Sequence, residues 1–149
     1  MAEYEFPECT SFGSVIRFAL ELEKATSAIY DDLAARPELA STKEPLKALA
    51  DSHRKRSDVL EHTRREKLNE MILEPIQDID SSNYVIETEV PAGVDVAGAK
   101  EFAGKVELTS SRFYLDSSKT AKSLLAEAAR ILERMGKENE ANKARLDAL

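Results

Sequence analysis

Apolar residues recur at three- and four-residue spacing along four long stretches of the chain, which is the pattern of amphipathic helices. Turn-forming residues separate the stretches: Arg36-Pro37 ends the first, and a segment containing Pro, Ser, Asn and Gly divides the second from the third. The pattern predicts an all-α protein. The predicted helices span about 12–35, 42–73, 96–116 and 120–148, and a long crossover spans about 74–95.

Polar residues near the predicted helix ends match known start and stop signals. Ser41–Glu44 has the Ser-x-x-Glu spacing of a capping box at the start of the second helix. Asp95 is the predicted N-cap of the third helix, and Ser117-Ser118 is the predicted turn that ends it.

The first predicted helix recurs at an offset of 84 residues, with six identities and two apolar substitutions. The pairs are Phe18/Phe102, Ala19/Ala103, Leu22/Val106, Glu23/Glu107, Ser27/Ser111, Ile29/Phe113, Tyr30/Tyr114 and Asp32/Asp116. At an offset of 86 residues the second helix aligns with the fourth, through Leu46/Leu132, Leu49/Met135, Ala50/Gly136, His53/Asn139, Arg56/Asn142 and Leu60/Leu146. The repeat unit is a helical hairpin. Two hairpins joined by one crossover predict a single domain over 1–149, an antiparallel four-helix bundle.

One carboxylate in each copy lies inside the apolar stripe. Glu23 and Glu107 precede Tyr30 and Tyr114 by seven positions, about two turns along the same helix face. Since burying an ionised carboxylate is costly without a metal, a cation or hydrogen-bond donors, each Glu is expected to have a specific buried partner.

Composition limits the classes of partner and location. The net charge of −7 and the pI of about 5.0 disfavour nucleic-acid and anionic-membrane binding, and no apolar run approaches the roughly 20 residues of a membrane span. Cys9 is the only cysteine, which excludes an internal disulfide and a four-cysteine metal site within one chain. The opening ten residues do not have the pattern of a secretory signal, so a cytoplasmic location is expected.

On these residues the chain resembles the ferritin-like superfamily, and within it the rubrerythrin-like branch, over nearly its whole length. The resemblance implies a Glu followed by a Tyr on helices 1 and 3, which Glu23 with Tyr30 and Glu107 with Tyr114 match. It also implies Glu-x-x-His on helices 2 and 4. Those positions carry different residues here: His53 and Arg56, then Asn139 and Asn142. The family's rubredoxin domain would need four cysteines and is missing from this sequence.

The altered positions predict a degenerate di-iron site without a cofactor. Two carboxylates, one imidazole and two amides neutralise two irons poorly, and Arg56 adds a permanent cation. The expected arrangement is a buried polar network in which the guanidinium meets Glu23, Glu107 or both. His53, Asn139 and Asn142 are expected to supply the remaining hydrogen bonds to the two carboxylates. The polar network comprises Glu23, Tyr30, His53, Arg56, Glu107, Tyr114, Asn139 and Asn142.

Two alternatives keep a metal. In one, Glu23, His53 and Glu107 bind a single iron or other divalent ion while Arg56 extends outward. In the other, a complete two-iron peroxide reductase or ferroxidase recruits further acids. The helical periodicity places those further candidates away from the network and on the surface: Asp58, Glu61, His62, Glu138 and Glu140.

The sequence therefore favours a non-catalytic structural or interaction protein that forms a homodimer, with an iron-dependent oxidoreductase of the rubrerythrin type as the alternative. The apolar segment Met71–Leu73 with Ile76 is a candidate association surface, although these residues are equally suited to covering the bundle's own end.

Overall fold

The computed structural model describes residues 4–66, 74–76 and 78–149. In this part of the chain the structure is helical, and its four α-helices are α1 (Phe12–Ala35), α2 (Lys43–Glu66), α3 (Val96–Ala121) and α4 (Ala126–Asp147). Two short 3-10 helices lie between them, at Pro37–Thr42 and Ser81–Asn83. The same residues contain no β-strand, only an isolated bridge between Ser11 and Pro75. The all-α prediction is confirmed.

Side chains cap two of these helices at their first turns. Ser11 accepts a hydrogen bond from the Ser14 backbone N–H, and the Ser14 hydroxyl accepts one from the Ser11 N–H, which completes a capping box for α1. The Asp95 carboxylate accepts a bond from the Gly98 N–H at the start of α3, so the predicted N-cap is confirmed. Arg36 has extended backbone angles ahead of Pro37, and α1 ends there as expected.

The predicted boundary between the third and fourth helices is wrong. α3 continues through Ser117 and Ser118 to Ala121, and α4 begins at Ala126 rather than near residue 120. Both serines are buried, and the Ser118 hydroxyl donates a 2.6 Å hydrogen bond to the Ala129 carbonyl of α4. Serine commonly marks a turn because its hydroxyl competes for backbone groups, but here the next helix supplies an acceptor.

The start of the second helix also differs in its local chemistry. Residues Pro37–Thr42 form a 3-10 helix, in which the Thr42 hydroxyl donates to the Leu39 carbonyl, so the capping box predicted at Ser41 is replaced by a different arrangement. The predicted end of this helix and the apolar residues Met71–Leu73 lie outside the described residues. Ile76, the remaining member of the candidate association surface, is buried.

The helices pack as two pairs, in a manner consistent with a four-helix bundle. α1 lies along α2 to form the first helix pair, and α3 lies along α4 to form the second. The pairs meet mainly through α1 and α3, where the rings of Phe18 and Phe113 are 4.7 Å apart at their centroids. None of the described helices combines the length and apolar character that a membrane crossing requires.

The crossover is held against both helix pairs. Near its end, the Arg36 guanidinium donates to the carbonyls of Val90 and Pro91, at 3.1 and 2.6 Å. In its middle, the Tyr84 hydroxyl donates a 2.6 Å bond to the Asp116 carboxylate of α3. These contacts fix a connection whose described residues form one short 3-10 turn and no other regular secondary structure.

The glycines of α3 and α4 provide a test of the packing between these helices. A Cβ at Gly136 would lie 2.8 Å from the Leu115 Cγ and 3.3 Å from the Ser111 carbonyl oxygen. We expect Gly136→Ala to destabilise the protein, because overpacking costs about 1–3 kcal/mol and alanine gains only about 1 kcal/mol over glycine in a helix. Urea denaturation of the variant and the wild type measures the change.

Gly104→Ala is the matched control for this prediction. Its Cβ would meet the Lys143 Cε and Cδ at 3.0 and 3.1 Å, and that flexible side chain can move aside. This variant should gain stability by about 0.5–1 kcal/mol. Equal gains from both alanine variants would contradict the close packing of Leu115 on Gly136.

Candidate functional site

The two acids predicted to be buried lie at the centre of the helix packing. Glu23 on α1 is 1% exposed and Glu107 on α3 is 0% exposed. Each belongs to its helix's inward face, next to Leu22 and Val106 respectively, and so the amphipathic pattern itself carries the carboxylates into the interior. Each helix pair thus contributes one carboxylate to the core.

The imidazole of His53 lies between the two carboxylates. Its Nδ1 is 2.5 Å from Glu23 Oε1, and its Nε2 is 2.8 Å from Glu107 Oε2. A carboxylate oxygen can only accept, so both ring nitrogens must donate and the ring must carry two protons. Burial alone lowers the pKa of His53, but the charges of Glu23 and Glu107 and their hydrogen bonds raise it from 6.5 to about 9.

Two tyrosines form equivalent hydrogen bonds between the helix pairs. The Tyr30 hydroxyl of α1 donates a 2.6 Å hydrogen bond to Glu107 Oε2 of α3, and the Tyr114 hydroxyl of α3 donates to Glu23 Oε2 of α1. Burial, together with the neighbouring carboxylates, raises the pKa of both hydroxyls well above 10, so they remain donors. The 84-residue repeat is therefore present in the structure as a pair of equivalent cross-links.

Amide groups from α4 complete the coordination of Glu107. The side-chain nitrogens of Asn139 and Asn142 donate to its Oε1 at 2.7 and 3.3 Å. With Tyr30 and His53 on the other oxygen, each oxygen of Glu107 accepts two hydrogen bonds. The buried charge is thereby satisfied by four donors, which is what a carboxylate requires away from water.

Arg56 approaches the network from α2 and contacts only one of the acids. Its Nη2 lies 3.4 Å from Glu23 Oε2 and donates to the Asn139 Oδ1 at 2.9 Å and to the Met135 carbonyl at 3.2 Å. The guanidinium also lies over the Tyr114 ring, 5.0 Å from its centroid, which is a cation–π arrangement. Its Nε and Nη1 are buried and have no hydrogen-bond partner.

The network is electrically balanced as a unit. Burial raises the pKa of Glu23, but the charges of Arg56 and His53 and the hydrogen bonds from His53 and Tyr114 outweigh that effect and lower it overall. Burial likewise opposes the ionisation of Glu107, and the charge and hydrogen bond of His53, with bonds from Tyr30 and Asn139, again produce a lowered pKa. Two carboxylates and two cations leave no net charge in the core.

All eight residues assigned to the polar network from sequence are buried, and the contacts above join them into one connected set. The surface candidates Asp58, His62, Glu138 and Glu140 are exposed, and Glu61 is partly exposed. The arrangement differs from the expected one in its centre, because the imidazole rather than the guanidinium lies between the acids. The Met135 carbonyl was not predicted, since backbone acceptors leave no mark in a sequence pattern.

Among the described residues, no group of three or more His, Cys, Asp or Glu side chains has an arrangement suited to holding a metal ion. Comparison of the chain with protein-family models, with curated proteins and with solved structures gives no match.

The pKa of His53 predicts how stability depends on pH. Because this pKa is about 9 in the folded protein against 6.5 as the reference, its stabilisation is complete below pH 6.5 and is lost as the pH rises through about 9. The shift corresponds to roughly 3 kcal/mol. We expect the wild type to lose that much more stability between about pH 6 and pH 10 than His53→Gln, as measured by urea denaturation.

His62→Gln is the control, because His62 is the other histidine of the chain and is exposed on the same helix. This variant should lose as much folding stability at alkaline pH as the wild type does. In a proton NMR titration, the imidazole signal that it lacks belongs to His62, and the remaining signal belongs to His53. A His53 signal that titrates near pH 6.5 would contradict the doubly protonated bridge.

Replacing Arg56 tests whether the guanidinium balances the buried acids. Arg56→Leu should cost about 3–5 kcal/mol, because it leaves two buried carboxylates with a single cation. The control is Arg54→Leu, two positions away, whose exposed guanidinium pairs with Asp31 and Asp51 on the surface. It should leave the free energy of unfolding nearly unchanged.

The pH dependence separates lost charge from lost packing in this experiment. Both Glu23 and Glu107 have lowered pKa values, so their stabilisation is present above their unfolded pKa and disappears as the pH falls through the folded one. Without Arg56, the acid loss should begin at higher pH. A cost below about 1 kcal/mol with an unchanged acid limb would show that Arg56 contributes little to the balance.

Proposed function

We propose that this chain is a ferritin-like, rubrerythrin-related antiparallel four-helix bundle in which the polar network stands where relatives of that kind hold iron. In this proposal the protein has no catalytic centre and acts as a structural or interaction protein. The observation that carries the proposal is the His53 imidazole, which hydrogen-bonds to Glu23 and to Glu107 on opposite sides of its ring.

The repeat supports the proposed relationship. Glu23 with Tyr30 and Glu107 with Tyr114 are the residues through which the sequence resembles the superfamily, and these four side chains meet in the core. Each Tyr bonds the Glu of the other helix pair, which is the cross-linked arrangement expected when two equivalent helix pairs face each other. The Glu-x-x-His positions supply the remaining network residues from α2 and α4.

The residues present fit a di-iron centre poorly. Such a centre uses four carboxylates to neutralise two divalent ions and two imidazoles to complete their coordination. Here His53, Asn139 and Asn142 supply nitrogen donors to Glu107, and Arg56 supplies a permanent positive charge beside Glu23. The two acids are already balanced by two cations, so a divalent ion would have to displace at least one of them.

A single metal held by Glu23, His53 and Glu107 is the rival hypothesis, and the close approach of these three side chains is the observation that favours it. Its difficulty is geometric. The two acids contact different nitrogens on opposite sides of one ring, so an ion bound to one nitrogen faces one acid while the other acid remains on the far side. His53 would also have to lose a proton that both carboxylates hold in place.

We also propose that the protein forms a homodimer and is located in the cytoplasm. The acidic charge of the chain disfavours nucleic acid and anionic membranes as partners. Sedimentation equilibrium tests the dimer directly.

Iron binding distinguishes the two hypotheses. Ferrous iron is added without oxygen to metal-free protein, bound metal is measured after gel filtration, and oxygen consumption is followed on exposure to air. We expect substoichiometric iron and no turnover, because the buried acids already have cationic partners. Stoichiometric iron that is lost in Glu107→Gln, together with repeated oxygen consumption, would establish the oxidoreductase instead.

A variant with the Glu-x-x-His pattern restored gives the assay a positive control. It combines His53→Glu, Arg56→His, Asn139→Glu and Asn142→His, the four positions at which the chain departs from the family pattern. With four carboxylates and two imidazoles, this variant should bind iron where the wild type does not. Circular dichroism checks that it remains helical.

A further inference from the structure

A polar cavity lies away from the network, at the start of α1. Its volume is about 450 Å³, and it is bounded by the first turn of α1 and by the last part of α2. The residues that line it are Glu8, Thr10, Ser11, Gly13, Ser14, Arg17 and Arg64. We call this space the Arg17–Arg64 cavity.

Two guanidinium groups reach this cavity without an anionic partner. Arg17 lies on α1 and Arg64 on α2, and neither forms an ion pair or hydrogen bond with any described residue. Two other arginines of the first helix pair have acidic partners: Arg36 bonds Asp32, and Arg54 bonds Asp31 and Asp51. The Nε of Arg64 is in addition fully buried and has no hydrogen-bond partner, which leaves a donor of a charged group unused inside the protein.

The start of α1 adds a partial positive charge to the same space, while its Phe12 and Ser14 amides already donate to the Glu74 carbonyl and the Ser11 hydroxyl. α1 has 24 residues, and the first amides of a long helix carry a partial positive charge. The hydroxyls of Ser11 and Ser14 are already used in the capping box, whereas the Thr10 hydroxyl has no partner among the described residues. Helix start and arginines thus favour the same kind of ligand, an anion.

We propose that the Arg17–Arg64 cavity binds a phosphate group, either as inorganic phosphate or as the phosphomonoester of a small molecule. Two guanidinium groups from two helices match the several oxygens and the double negative charge of a phosphate, whereas a carboxylate is satisfied by one. Glu8 is the opposing charge at this cavity, and it limits affinity by repelling the same anion.

This site is independent of the proposed function of the polar network. None of its lining residues belongs to the network, and its ligand requires no metal and no reaction. Loss of phosphate binding therefore leaves the proposal for Glu23, His53 and Glu107 unaffected, and iron binding in the core leaves the phosphate site unaffected.

The test uses proton–nitrogen correlation NMR on the full chain, titrated separately with inorganic phosphate, with O-phosphoserine and with sodium chloride at equal ionic strength. We expect saturable shifts at the amides of 10–14 and a dissociation constant on the order of 1 mM for at least one of the two phosphates. Binding of O-phosphoserine alone would support a phosphomonoester, and binding of inorganic phosphate alone would support the free ion.

Four variants test which side chains contribute to phosphate affinity. Arg17→Gln and Arg64→Gln should each weaken binding about fivefold or more, because each removes a charge-assisted hydrogen bond. Glu8→Gln should strengthen it, since the repelling carboxylate is gone. Arg65→Gln is the matched control, because Arg65 follows Arg64 on α2, is exposed, and does not line the cavity. It should change the affinity less than twofold, as a surface charge screened by salt does.

Two results would overturn the proposal. The first is that neither phosphate shifts these amides more than chloride does. The second is that Arg65→Gln weakens binding as much as Arg64→Gln, which would reduce the effect to general surface charge. Should Arg64→Gln fail to fold, Arg17→Gln decides the same question, because the Arg17 side chain is exposed.

Discussion

The hydrogen-bonded imidazolium of His53 between two buried carboxylates is the interaction on which the core of this protein depends. Glu23 and Glu107 come from different helix pairs, and without a cation between them their charges would repel across a region that excludes water. By donating a hydrogen bond to each carboxylate, the His53 ring on α2 links α1 to α3. Because both of its nitrogens are used, the orientation of the ring is fixed by its partners on two sides.

Equivalent positions of the repeat carry side chains of different charge. His53 and Arg56 of α2 correspond to Asn139 and Asn142 of α4, and only the α2 residues carry charge. The two cations therefore balance the two acids, and the amides of α4 supply neutral donors to Glu107. Cations at all four positions would leave the core with excess positive charge, and amides at all four would leave the acids uncompensated.

The fully satisfied bonds of Glu107 contrast with the incomplete bonding of Arg56. The carboxylate accepts four hydrogen bonds, whereas two nitrogens of the guanidinium have no protein acceptor. The ring of Tyr114 beneath the guanidinium compensates in part, because the face of an aromatic ring attracts a cation. Each charged group of the network thus has at least one partner of opposite charge inside the core.

The sequence by itself determined the helical class, the ends of α1, the Asp95 cap and the burial of the eight residues of the polar network, because three- and four-residue spacing dictates which side chains share a helix face. It failed at Ser117-Ser118, where the Ala129 carbonyl of the neighbouring helix satisfies a hydroxyl and α3 continues. Only the tertiary structure decided that His53, and not Arg56, lies between the acids. Periodicity fixes the direction of each side chain, but side-chain length and the distance between packed helices decide which charged group reaches the centre.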